Sequence, residues 1–337
     1  MHSILIVGCG SIGERHLRCF QQTGRAKAFA CDSNAALLER LAGSYSVETF
    51  ADYARGLEAP IDAVVICAPA HLHIPMALQA LERGKHVLIE KPLSQSLRQV
   101  DDLLDAHRRS GLQAAVAYTM HVFPFLIEAR EYLRRGQLGA IRHVVFNSGQ
   151  PFHKLRPAHA AHYSQTYYRD RKMGGGAIQD ALTHTANWLE SVLGPTDSVM
   201  CDCAHQVLPG VTVEDTVNLS SRHGDVLVSY ALNQFQMPNE TTLQFNSATG
   251  SLRIEFHRQR WGTFFENDTD WSWREAAVPE RDSHYINQAN RFLDQVESKP
   301  STLCTLEAAA QTLRFNLAAL ASSESGARVL CSSLVAS

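Results

Sequence analysis

A glycine-rich segment near the start of the chain limits the possible folds more than any other feature. Gly8, Gly10 and Gly13 form a G-x-G-x-x-G pattern. The pattern follows the apolar stretch 4–7 and opens a helical pattern over residues 12–22. A strand, a glycine turn and a helix in this order predict the first part of a Rossmann fold, in which the start of the helix binds a dinucleotide pyrophosphate.

The residues of this turn have separate predicted roles. Gly8 permits the tight turn, Gly10 lets the pyrophosphate approach the backbone, and Gly13 lets the helix pack on the strand. Ser11 and Ile12 offer free backbone N–H groups at the positive end of the helix dipole. The less favoured alternative is a glycine turn in an α/β protein that binds no nucleotide.

Asp32 indicates which dinucleotide the sequence favours. It ends the second predicted strand, residues 28–31, where a carboxylate accepts hydrogen bonds from the adenosine ribose hydroxyls. The 2′-phosphate of NADP would meet this negative charge, with Ser33 and Asn34 beside it in place of an arginine. The sequence therefore predicts NAD(H) rather than NADP(H).

Strand and helix patterns alternate over the first third of the chain. The predicted strands are 4–7, 28–31, 63–67, 86–89 and 114–117, and the predicted helices are 12–22, 35–41, 74–83 and 96–109. Such alternation is typical of a parallel sheet with helices on both faces. We place the domain boundary near Thr119, so that the Rossmann domain covers residues 1–119.

In the remainder, residues 120–337, strand candidates follow one another. After a helix at 125–135 they are 141–147, 198–205, 216–221, 226–235, 241–246 and 251–256, and helices follow at 283–296 and 306–322. A turn at 221–225 predicts a hairpin. We expect an α+β domain with a large, mostly antiparallel open sheet, whose last helices pack back toward the Rossmann domain.

Composition and charge exclude several classes of function. The 337 residues carry a net charge of −3, so no basic field attracts nucleic acid or an anionic membrane. No apolar run reaches the ~20 residues that span a bilayer, and the N-terminus lacks the basic start of a signal peptide. Cys201 and Cys203 have strand spacing, and no partner pair has zinc-site spacing. We therefore expect no metal and eight reduced thiols in a cytoplasmic protein.

Four later segments together resemble one known family. They are Ile66-Cys67-Ala68-Pro69-Ala70-His71-Leu72-His73, the stretch from Gly84 that ends in Glu90-Lys91-Pro92, Gly174-Gly175-Gly176-Ala177-Ile178-Gln179-Asp180 followed by His184, and Ser323-Glu324-Ser325-Gly326. In this order they resemble the glucose–fructose oxidoreductase / inositol dehydrogenase / MocA (Gfo/Idh/MocA) family over nearly the whole chain. The resemblance implies nicotinamide chemistry on sugars, cyclitols or their derivatives. It also implies a second domain that binds substrate and often forms homodimers or homotetramers.

The resemblance assigns roles to individual residues. It implies that Lys91, Asp180 and His184 form the catalytic set, and that Glu90 and Pro92 shape a turn whose Lys91–Pro92 bond is often cis. The cofactor contacts that it implies outside the glycine turn are Ala68, Pro69, His73, Glu90 and Lys91.

Oxidation of a secondary alcohol removes a hydroxyl proton while a hydride leaves the carbon. His184 is a suitable proton acceptor near neutral pH, and the Lys91 cation can hold the hydroxyl and stabilise developing negative charge. Asp180 lies one helical turn before His184 and could orient either the substrate or His184.

Two of these assignments have open alternatives. Asp180, His184 and Asn187 share one face of a predicted helix over 177–193, and such a polar face is usually solvent-exposed. The glycine triplet and Glu90-Lys91-Pro92 favour catalysis over that interpretation. His73 either contacts the cofactor or substrate, or packs a loop.

The expected substrate contacts are Lys91, His121, Arg156, Tyr163, Asp180 and His184. His121 stands where the family commonly has arginine, so the substrates of family members that use this arginine do not carry over to this chain.

The segment 152–173 is rich in basic and aromatic residues, and it is either a solvated loop or a lid in which tyrosines contact a sugar and Arg156 binds an anionic group. Gly149-Gln150, Arg156-Pro157 and Tyr163 also resemble a family branch linked to surface-glycan and sugar-nucleotide metabolism. Trp271 and Trp273 alternate as strand residues that pack on the sheet.

Three functions remain open at this point. The first is an NAD(H)-dependent dehydrogenase or reductase that acts on an alcohol of a sugar, cyclitol or sugar derivative. The second is an NAD-dependent enzyme that cleaves a glycoside through transient oxidation. The third is a non-catalytic sensor of NAD and sugar, which intact Lys91, Asp180 and His184 argue against.

Overall fold

A computed structural model of the chain describes residues 1–152 and 163–335. The chain divides into two compact units. The first contains Met1–Val122 and Pro279–Ala310, and the second contains Phe123–Val278 and Gln311–Val335. The chain therefore leaves the first unit shortly after Thr119 and returns to it at residue 279.

The strands of the first unit form a parallel sheet. Their bounds are β1 (His2–Val7), β2 (Ala26–Cys31), β3 (Thr49–Phe50), β4 (Ala63–Ile66), β5 (His86–Ile89) and β6 (Ala114–Val116). Within the described residues the order is β3-β2-β1-β4-β5-β6, and every pair is parallel. The strand order reverses between β1 and β4, and ligands of such sheets bind at the carboxyl ends of the strands at this point.

The described α-helices are α1 (Ser11–Gln22), α2 (Ala35–Tyr45), α3 (Tyr53–Glu58), α4 (His73–Glu82), α5 (Val100–Ser110), α6 (Pro124–Arg134), α7 (Thr183–Leu193), α8 (Ser283–Val296) and α9 (Leu306–Ser325). The predicted helix 96–109 is wrong at its start. Gln99 has a φ of +58°, a left-handed conformation that interrupts the helix, so α5 begins at Val100.

Helix α8 belongs to the first unit because it packs on α1. Phe20 and Phe292 are fully buried, and their ring centroids lie 6.3 Å apart, edge to face. Arg15 and Arg18 of α1 both pair with Asp282 just before α8. The apolar contact and the ion pairs explain why the chain returns to the first unit after the second sheet is complete.

The second unit contains a larger sheet. Its strands are β7 (His143–Gly149), β8 (Ser198–Ala204), β9 (Thr216–His223), β10 (Val226–Asn233), β11 (Glu240–Asn246), β12 (Gly250–Glu255), β13 (Arg260–Phe265), β14 (Ser272–Glu275) and β15 (Val329–Leu330). Within the described residues the order is β14-β13-β12-β11-β7-β10-β9-β8-β15, antiparallel except for the β7–β10 pair. The predicted fold class, a Rossmann domain followed by an α+β domain with a mostly antiparallel sheet, is confirmed.

Alternating side chains give this sheet one buried and one exposed face. In β7, Val144 and Phe146 are buried, whereas Val145 is 38% exposed. Gly224 forms the predicted hairpin turn between β9 and β10 with a φ of +57°. Among the described helices, none has the length and apolar character needed to cross a bilayer.

Candidate functional site

The glycine turn between β1 and α1 leaves space at one of its three glycines. A Cβ on Gly8, whose φ is +81°, would lie 2.7 Å from the Ala68 nitrogen, and one on Gly13 would lie 2.0 Å from the Gly8 carbonyl oxygen. At Gly10, by contrast, no neighbouring atom of the described chain lies within 4 Å of such a Cβ. Gly10 is also the N-cap of α1, and no side chain caps it. The first N–H groups of α1 are therefore accessible to an anion.

Asp32 is held beside this turn by two backbone N–H groups. The Cys9 N–H donates to Oδ2 at 2.7 Å, and the Asn34 N–H donates to Oδ1 at 2.9 Å. The carboxylate is half-buried, and each oxygen keeps a second lone pair for a further donor. This geometry fits an acceptor for ribose hydroxyls next to an anion-binding helix end, so the residues present suit a dinucleotide.

His73, at the start of α4, joins two loops at the carboxyl ends of β4 and β5. Its Nε2 lies 2.7 Å from the Ala68 carbonyl oxygen, and its Nδ1 lies 2.8 Å from the Pro92 carbonyl oxygen. Burial lowers the pKa of His73, and the two carbonyl contacts oppose this effect. Both ring nitrogens thus face backbone carbonyl oxygens, and the neutral ring donates to one of them through its single N–H. This position supports the loop-packing role, and contact of His73 with cofactor or substrate stays a prediction.

A buried chain of hydrogen bonds connects α1 with Lys91. His16 Nε2 lies 2.7 Å from Glu90 Oε1, and the Lys91 backbone N–H donates to Glu90 Oε2 at 3.0 Å. Burial by itself would raise the pKa of Glu90, but the bond and charge of His16 and the charge of Lys91 hold that pKa below its usual value. Glu90 is therefore an anion that fixes the Lys91 backbone.

Lys91 is the second residue after β5 and is half-buried. Its peptide bond to Pro92 is cis, as the family resemblance implies. The lysine thus lies at the carboxyl end of a parallel strand, at the same edge of the sheet as the glycine turn and Asp32.

In the second unit, the glycine triplet makes room for the protein's own atoms. A Cβ on Gly175 would lie 2.1 Å from the Tyr168 carbonyl oxygen. A Cβ on Gly176, whose φ is +93°, would lie 2.4 Å from Glu214 Oε1. Both sites are therefore filled by neighbouring chain atoms, and any larger residue there would displace them.

Glu214 closes the start of the helical segment that follows the triplet. Its side chain accepts hydrogen bonds from the Ile178 N–H and from Arg171, both at 3.2 Å. Burial raises the pKa of Glu214, against the opposing effects of these donors. A carboxylate of the chain thus takes the position that an external anion could take at α1.

The helix predicted over 177–193 is wrong in one respect. Ile178–Leu182 forms a π-helical turn, and the α-helix α7 begins only at Thr183. The extra residue per turn has no signature in the hydrophobic pattern, although such turns occur frequently at functional sites. Asp180 lies in this turn and His184 in the first turn of α7.

Asp180 is buried with a defined partner. Its side chain is 5% exposed, and the Tyr167 hydroxyl donates to Oδ1 at 2.6 Å. His184 is half-buried. The face that carries them is not solvent-exposed surface, since Asn187 is 2% exposed and donates to Thr312 Oγ1 at 2.9 Å.

Glu190, on the same helix, extends this buried polar network. It accepts hydrogen bonds from the Thr312 hydroxyl at 2.6 Å and from the Thr196 hydroxyl at 2.9 Å. Burial raises the pKa of Glu190 to about 7, although these donors lower it. Through Thr312 this network joins α7 to α9.

The remaining predicted substrate residues lie in different surroundings. His121 is 5% exposed, in a short turn after β6, and its carbonyl accepts from the Thr302 hydroxyl at 3.3 Å. Tyr163 is 5% exposed, and its hydroxyl donates to the Pro209 carbonyl at 2.9 Å. Arg156 lies outside the described residues, as do His153, Lys154, His159 and His162.

Among the described residues, no group of three or more His, Cys, Asp or Glu side chains is arranged to hold a metal.

Sequence reasoning missed three positioning residues: His16, Glu214 and Tyr167. His16 lies on the buried face of α1, between Gly13 and Phe20, where an ionisable side chain is unusual and could have been noticed. Glu214 had no recognisable signal. Tyr167 is one of several aromatic residues in the segment 152–173, and nothing in the sequence distinguishes it from the others.

Comparisons with known proteins agree with both units. The family model for an oxidoreductase family with an NAD-binding Rossmann fold, GFO_IDH_MocA, matches residues 2–118. The model for the GFO/IDH/MocA C-terminal domain matches residues 126–253.

Individual relatives are distant. An uncharacterized oxidoreductase of Bacillus subtilis is 30% identical over 149 residues, which are 43% of this chain and 44% of the relative. An inositol 2-dehydrogenase of Rhizobium meliloti is 26% identical over 190 residues, which are 56% of this chain and 54% of the relative. The chain thus spans about half the length of these curated relatives.

A solved structure covers almost the whole chain. The WlbA dehydrogenase of Bordetella pertussis, in complex with NADH and UDP-GlcNAcA, has a TM-score of 0.81 and 21% sequence identity, and the match covers 98% of both chains. At this identity the match establishes the fold alone.

Proposed function

Because the chain belongs to the Gfo/Idh/MocA family of oxidoreductases with an NAD-binding Rossmann fold, we propose that it transfers hydride between NAD(H) and a secondary alcohol of a sugar, cyclitol or sugar derivative. The observation that carries the proposal is the open helix end at Gly10 with Asp32 fixed beside it. Gly8, Gly10, Ser11, Ile12, Gly13 and Asp32 would hold the dinucleotide, together with Ala68, Pro69, His73, Glu90 and Lys91. When bound, the nicotinamide supplies the hydride acceptor or donor.

NAD(H) is the proposed form of the cofactor. Both Asp32 oxygens accept backbone N–H groups, which keeps the carboxylate in place beside the turn. A 2′-phosphate at that position would be repelled, and the adjacent Ser33 and Asn34 are exposed and uncharged. Calorimetric preference for NADP+ over NAD+ would contradict this assignment.

The protein's own contribution is to hold the alcohol and move its proton. Lys91 offers a fixed cation because Glu90 and the Pro92 turn hold its backbone. His184 takes the hydroxyl proton, and Asp180, fixed by Tyr167, orients the substrate or His184. The family resemblance implies these roles, and the contacts of Lys91 and Asp180 within their own units support them.

The substrate class is supported by the relatives. One relative is an inositol 2-dehydrogenase, and one structural neighbour binds NADH and a sugar nucleotide. The proposed contacts of His121, Arg156 and Tyr163 with the substrate, and a homodimer or homotetramer built through the second unit, belong to the same proposal.

Single-turnover absorbance of the nicotinamide tests this function. The protein is loaded with NAD+ and offered sugars, cyclitols, glycosides and sugar nucleotides. We expect stable NADH with one class, a loss of at least about a hundredfold in rate in His184→Ala, and an unchanged rate in the exposed control His257→Ala.

The other outcomes separate the alternatives. Release of a cleaved glycoside without stable NADH would replace the proposal by glycoside cleavage through transient oxidation. Tight NAD+ binding without turnover of any class, and with the same behaviour in His184→Ala, would favour the sensor.

A further inference from the structure

The segment 163–173 (the tyrosine segment) carries three tyrosines that lie in different surroundings. It consists of three single turns of 3₁₀-helix, Tyr163–Gln165, Tyr167–Arg169 and Arg171–Met173. Tyr163 is 5% exposed and Tyr168 is fully buried, in a cluster with Phe152, Leu208, Val211 and Val213. Tyr167, by contrast, is 38% exposed. Packing of the tyrosine segment therefore accounts for two of the three rings and leaves the ring of Tyr167 at the surface.

Tyr167 has the reverse of the usual orientation of a surface tyrosine. A tyrosine ordinarily buries its apolar ring and leaves its hydroxyl in water. Here the hydroxyl donates to Asp180 Oδ1 at 2.6 Å, and Asp180 is buried. The ring thus extends from solvent to a buried carboxylate that belongs to the proposed catalytic set.

The glycine triplet allows the backbone of Tyr167 to take this position. A Cβ on Gly175 would lie 2.8 Å from the Tyr167 carbonyl oxygen, so a larger residue would push this backbone away. The Gln179 side chain, one residue before Asp180, donates to the Arg171 carbonyl oxygen at 2.9 Å and ties the tyrosine segment to the π-helical turn. Tyr167 and Asp180 are therefore fixed relative to each other before a substrate binds, and such preorganisation lowers the entropy cost of binding.

An exposed aromatic ring beside a buried hydrogen-bond acceptor fits a cyclic polyol. The hydroxyl groups of a sugar or cyclitol ring lie mostly at its edge, and its faces carry C–H groups that can pack on an aromatic face. A carboxylate accepts several hydrogen bonds, so the bond from Tyr167 does not exclude one from a substrate hydroxyl. An open-chain polyol offers the same hydroxyl groups but no fixed apolar face.

We propose that Tyr167 selects cyclic alcohols. Its ring packs on the C–H face of the substrate ring, and Asp180, which its hydroxyl fixes, accepts a hydrogen bond from a hydroxyl at the edge of that ring. This role rests on the proposed function and adds Tyr167 to the substrate contacts. It also assigns Asp180 to the orientation of the substrate rather than of His184.

Two substitutions separate the ring of Tyr167 from its hydroxyl. Tyr167→Phe keeps the ring and removes the bond to Asp180, so we expect a cyclic alcohol to bind within about threefold of wild type while hydride transfer slows at least about tenfold. Tyr167→Leu also removes the flat ring, so we expect the affinity for a cyclic alcohol to fall at least about tenfold.

Tyr45→Phe is the matched control. It removes a hydrogen bond from a tyrosine hydroxyl to a carboxylate, at 2.8 Å to Glu14 Oε1, and neither residue belongs to the proposed contacts. We expect it to bind cyclic alcohols and transfer hydride as the wild type does.

Calorimetry of the NADH-loaded protein measures the affinities. Because NADH and an alcohol are both reduced, no hydride is transferred and binding is measured at equilibrium. The cyclic probes are myo-inositol, methyl α-D-glucopyranoside and UDP-N-acetylglucosamine, and the open-chain probe is sorbitol. We expect wild type to bind at least one cyclic probe at least about tenfold more tightly than sorbitol, and Tyr167→Leu to lose this difference.

Three results would overturn the role of Tyr167: equal affinity of wild type and Tyr167→Leu for every cyclic probe, sorbitol binding as tight as that of the cyclic probes, or no binding of any cyclic probe. Melting curves show whether each variant is folded, and the comparison with sorbitol in wild type decides the question if Tyr167→Leu is not.

Formation of NADH by the NAD+-loaded protein separates this role from the proposed function. Binding that depends on Tyr167, without formation of NADH from any cyclic probe, would support the role of Tyr167 and contradict the proposed function. Formation of NADH from a cyclic probe with equal affinity and rate in wild type and Tyr167→Leu would overturn the role of Tyr167 and support the proposed function.

Discussion

At two places in the described chain, glycines precede a helical segment, and their effects on the start of that segment are opposite. At the start of α1, a Cβ on Gly10 would meet nothing within 4 Å in the described chain, and no side chain caps the helix. Before the π-helical turn, Cβ atoms on Gly175 and Gly176 would collide with the Tyr168 carbonyl and the Glu214 carboxylate. The first helix start is open, whereas the second is closed by the protein itself.

The comparison shows that a glycine-rich sequence alone does not predict an anion site. What distinguishes the two places is whether a side chain of the same chain already satisfies the helix N–H groups. Glu214 does so for Ile178, whereas Asp32 binds the Cys9 N–H, before α1 begins, and leaves the helix end accessible.

The strongest test of this comparison is Gly175→Ala. The new methyl would lie 2.1 Å from a backbone carbonyl oxygen that cannot move aside cheaply, so we expect a loss of about 3 kcal/mol or more in the free energy of unfolding. Denaturant unfolding measures it. Gly43→Ala, in the interior of α2 and with no described neighbour within 4 Å, is the matched control and should be neutral or slightly stabilising. Unchanged stability of Gly175→Ala would mean that the triplet does not pack as described.

Buried carboxylates extend the contrast between the two units. Glu90 is held as an anion by His16 and Lys91 at the proposed cofactor site. Glu190 lies among hydroxyl groups, and burial raises its pKa to about 7. The first carboxylate has a charged partner and a proposed function, while the second serves the packing of α7.

The second prediction follows from the raised pKa of Glu190. Below about pH 4.5 this carboxyl is protonated in both the folded and unfolded states and has no pH-dependent effect. Between pH 4.5 and about 7 the unfolded state ionises first, so folding stability falls as the pH rises, and above pH 7 the loss is complete. Glu190→Gln has no carboxyl group to ionise and therefore lacks this loss. We expect the stability of the variant minus that of the wild type to be more positive at pH 8 than at pH 4.5, by up to about 3 kcal/mol.

Urea unfolding of both proteins at the two pH values measures this difference. Glu307→Gln, an exposed position in α9, is the matched control and should show no such change. A stability gain of Glu190→Gln that is equal at pH 4.5 and pH 8 would show that ionisation of Glu190 is not its cause.

Most strands and helices of the first unit could be predicted from sequence, because the strands are continuous apolar runs and the helices have local start and stop signals, but the short helix α3 (Tyr53–Glu58) was missed. Strand β5 and helix α8 have the predicted bounds. The two-residue strands β3 and β15 could not be predicted, since strands this short have no periodicity and depend on partners distant in sequence. Strand β13 was also missed, whereas the alternation of Trp271 and Trp273 indicated a strand at β14 without its bounds.

The candidate site was predictable only where motif and local geometry coincide. The glycine turn and Asp32 have contacts that follow from the strand–turn–helix order itself. Glu214 acts from a loop 36 positions after Ile178, and no local pattern reports such a contact. Tyr167 likewise reaches Asp180 through the fold rather than through helical spacing.

The smallest expected effect, and the one that tests the ligand side of the comparison, is Gly10→Ala. The added methyl has no clash within the described chain, and alanine is a poorer N-cap than glycine, so we expect the free energy of unfolding to fall by no more than about 1 kcal/mol. The methyl would instead occupy the space at the helix end that we propose for the pyrophosphate. We therefore expect NAD+ to bind at least about tenfold more weakly, which corresponds to about 1.4 kcal/mol.

Calorimetry of NAD+ binding, with denaturant unfolding of the same samples, separates the two effects. Gly43→Ala should bind NAD+ as the wild type does, since Gly43 lies near the end of α2 and no atom of the described chain lies within 4 Å of its added methyl. Wild-type affinity in Gly10→Ala would mean that the open space is not where the dinucleotide lies. A large loss of stability would mean that Gly10, like Gly175, packs against the protein, and the contrast between the two helix starts would fail.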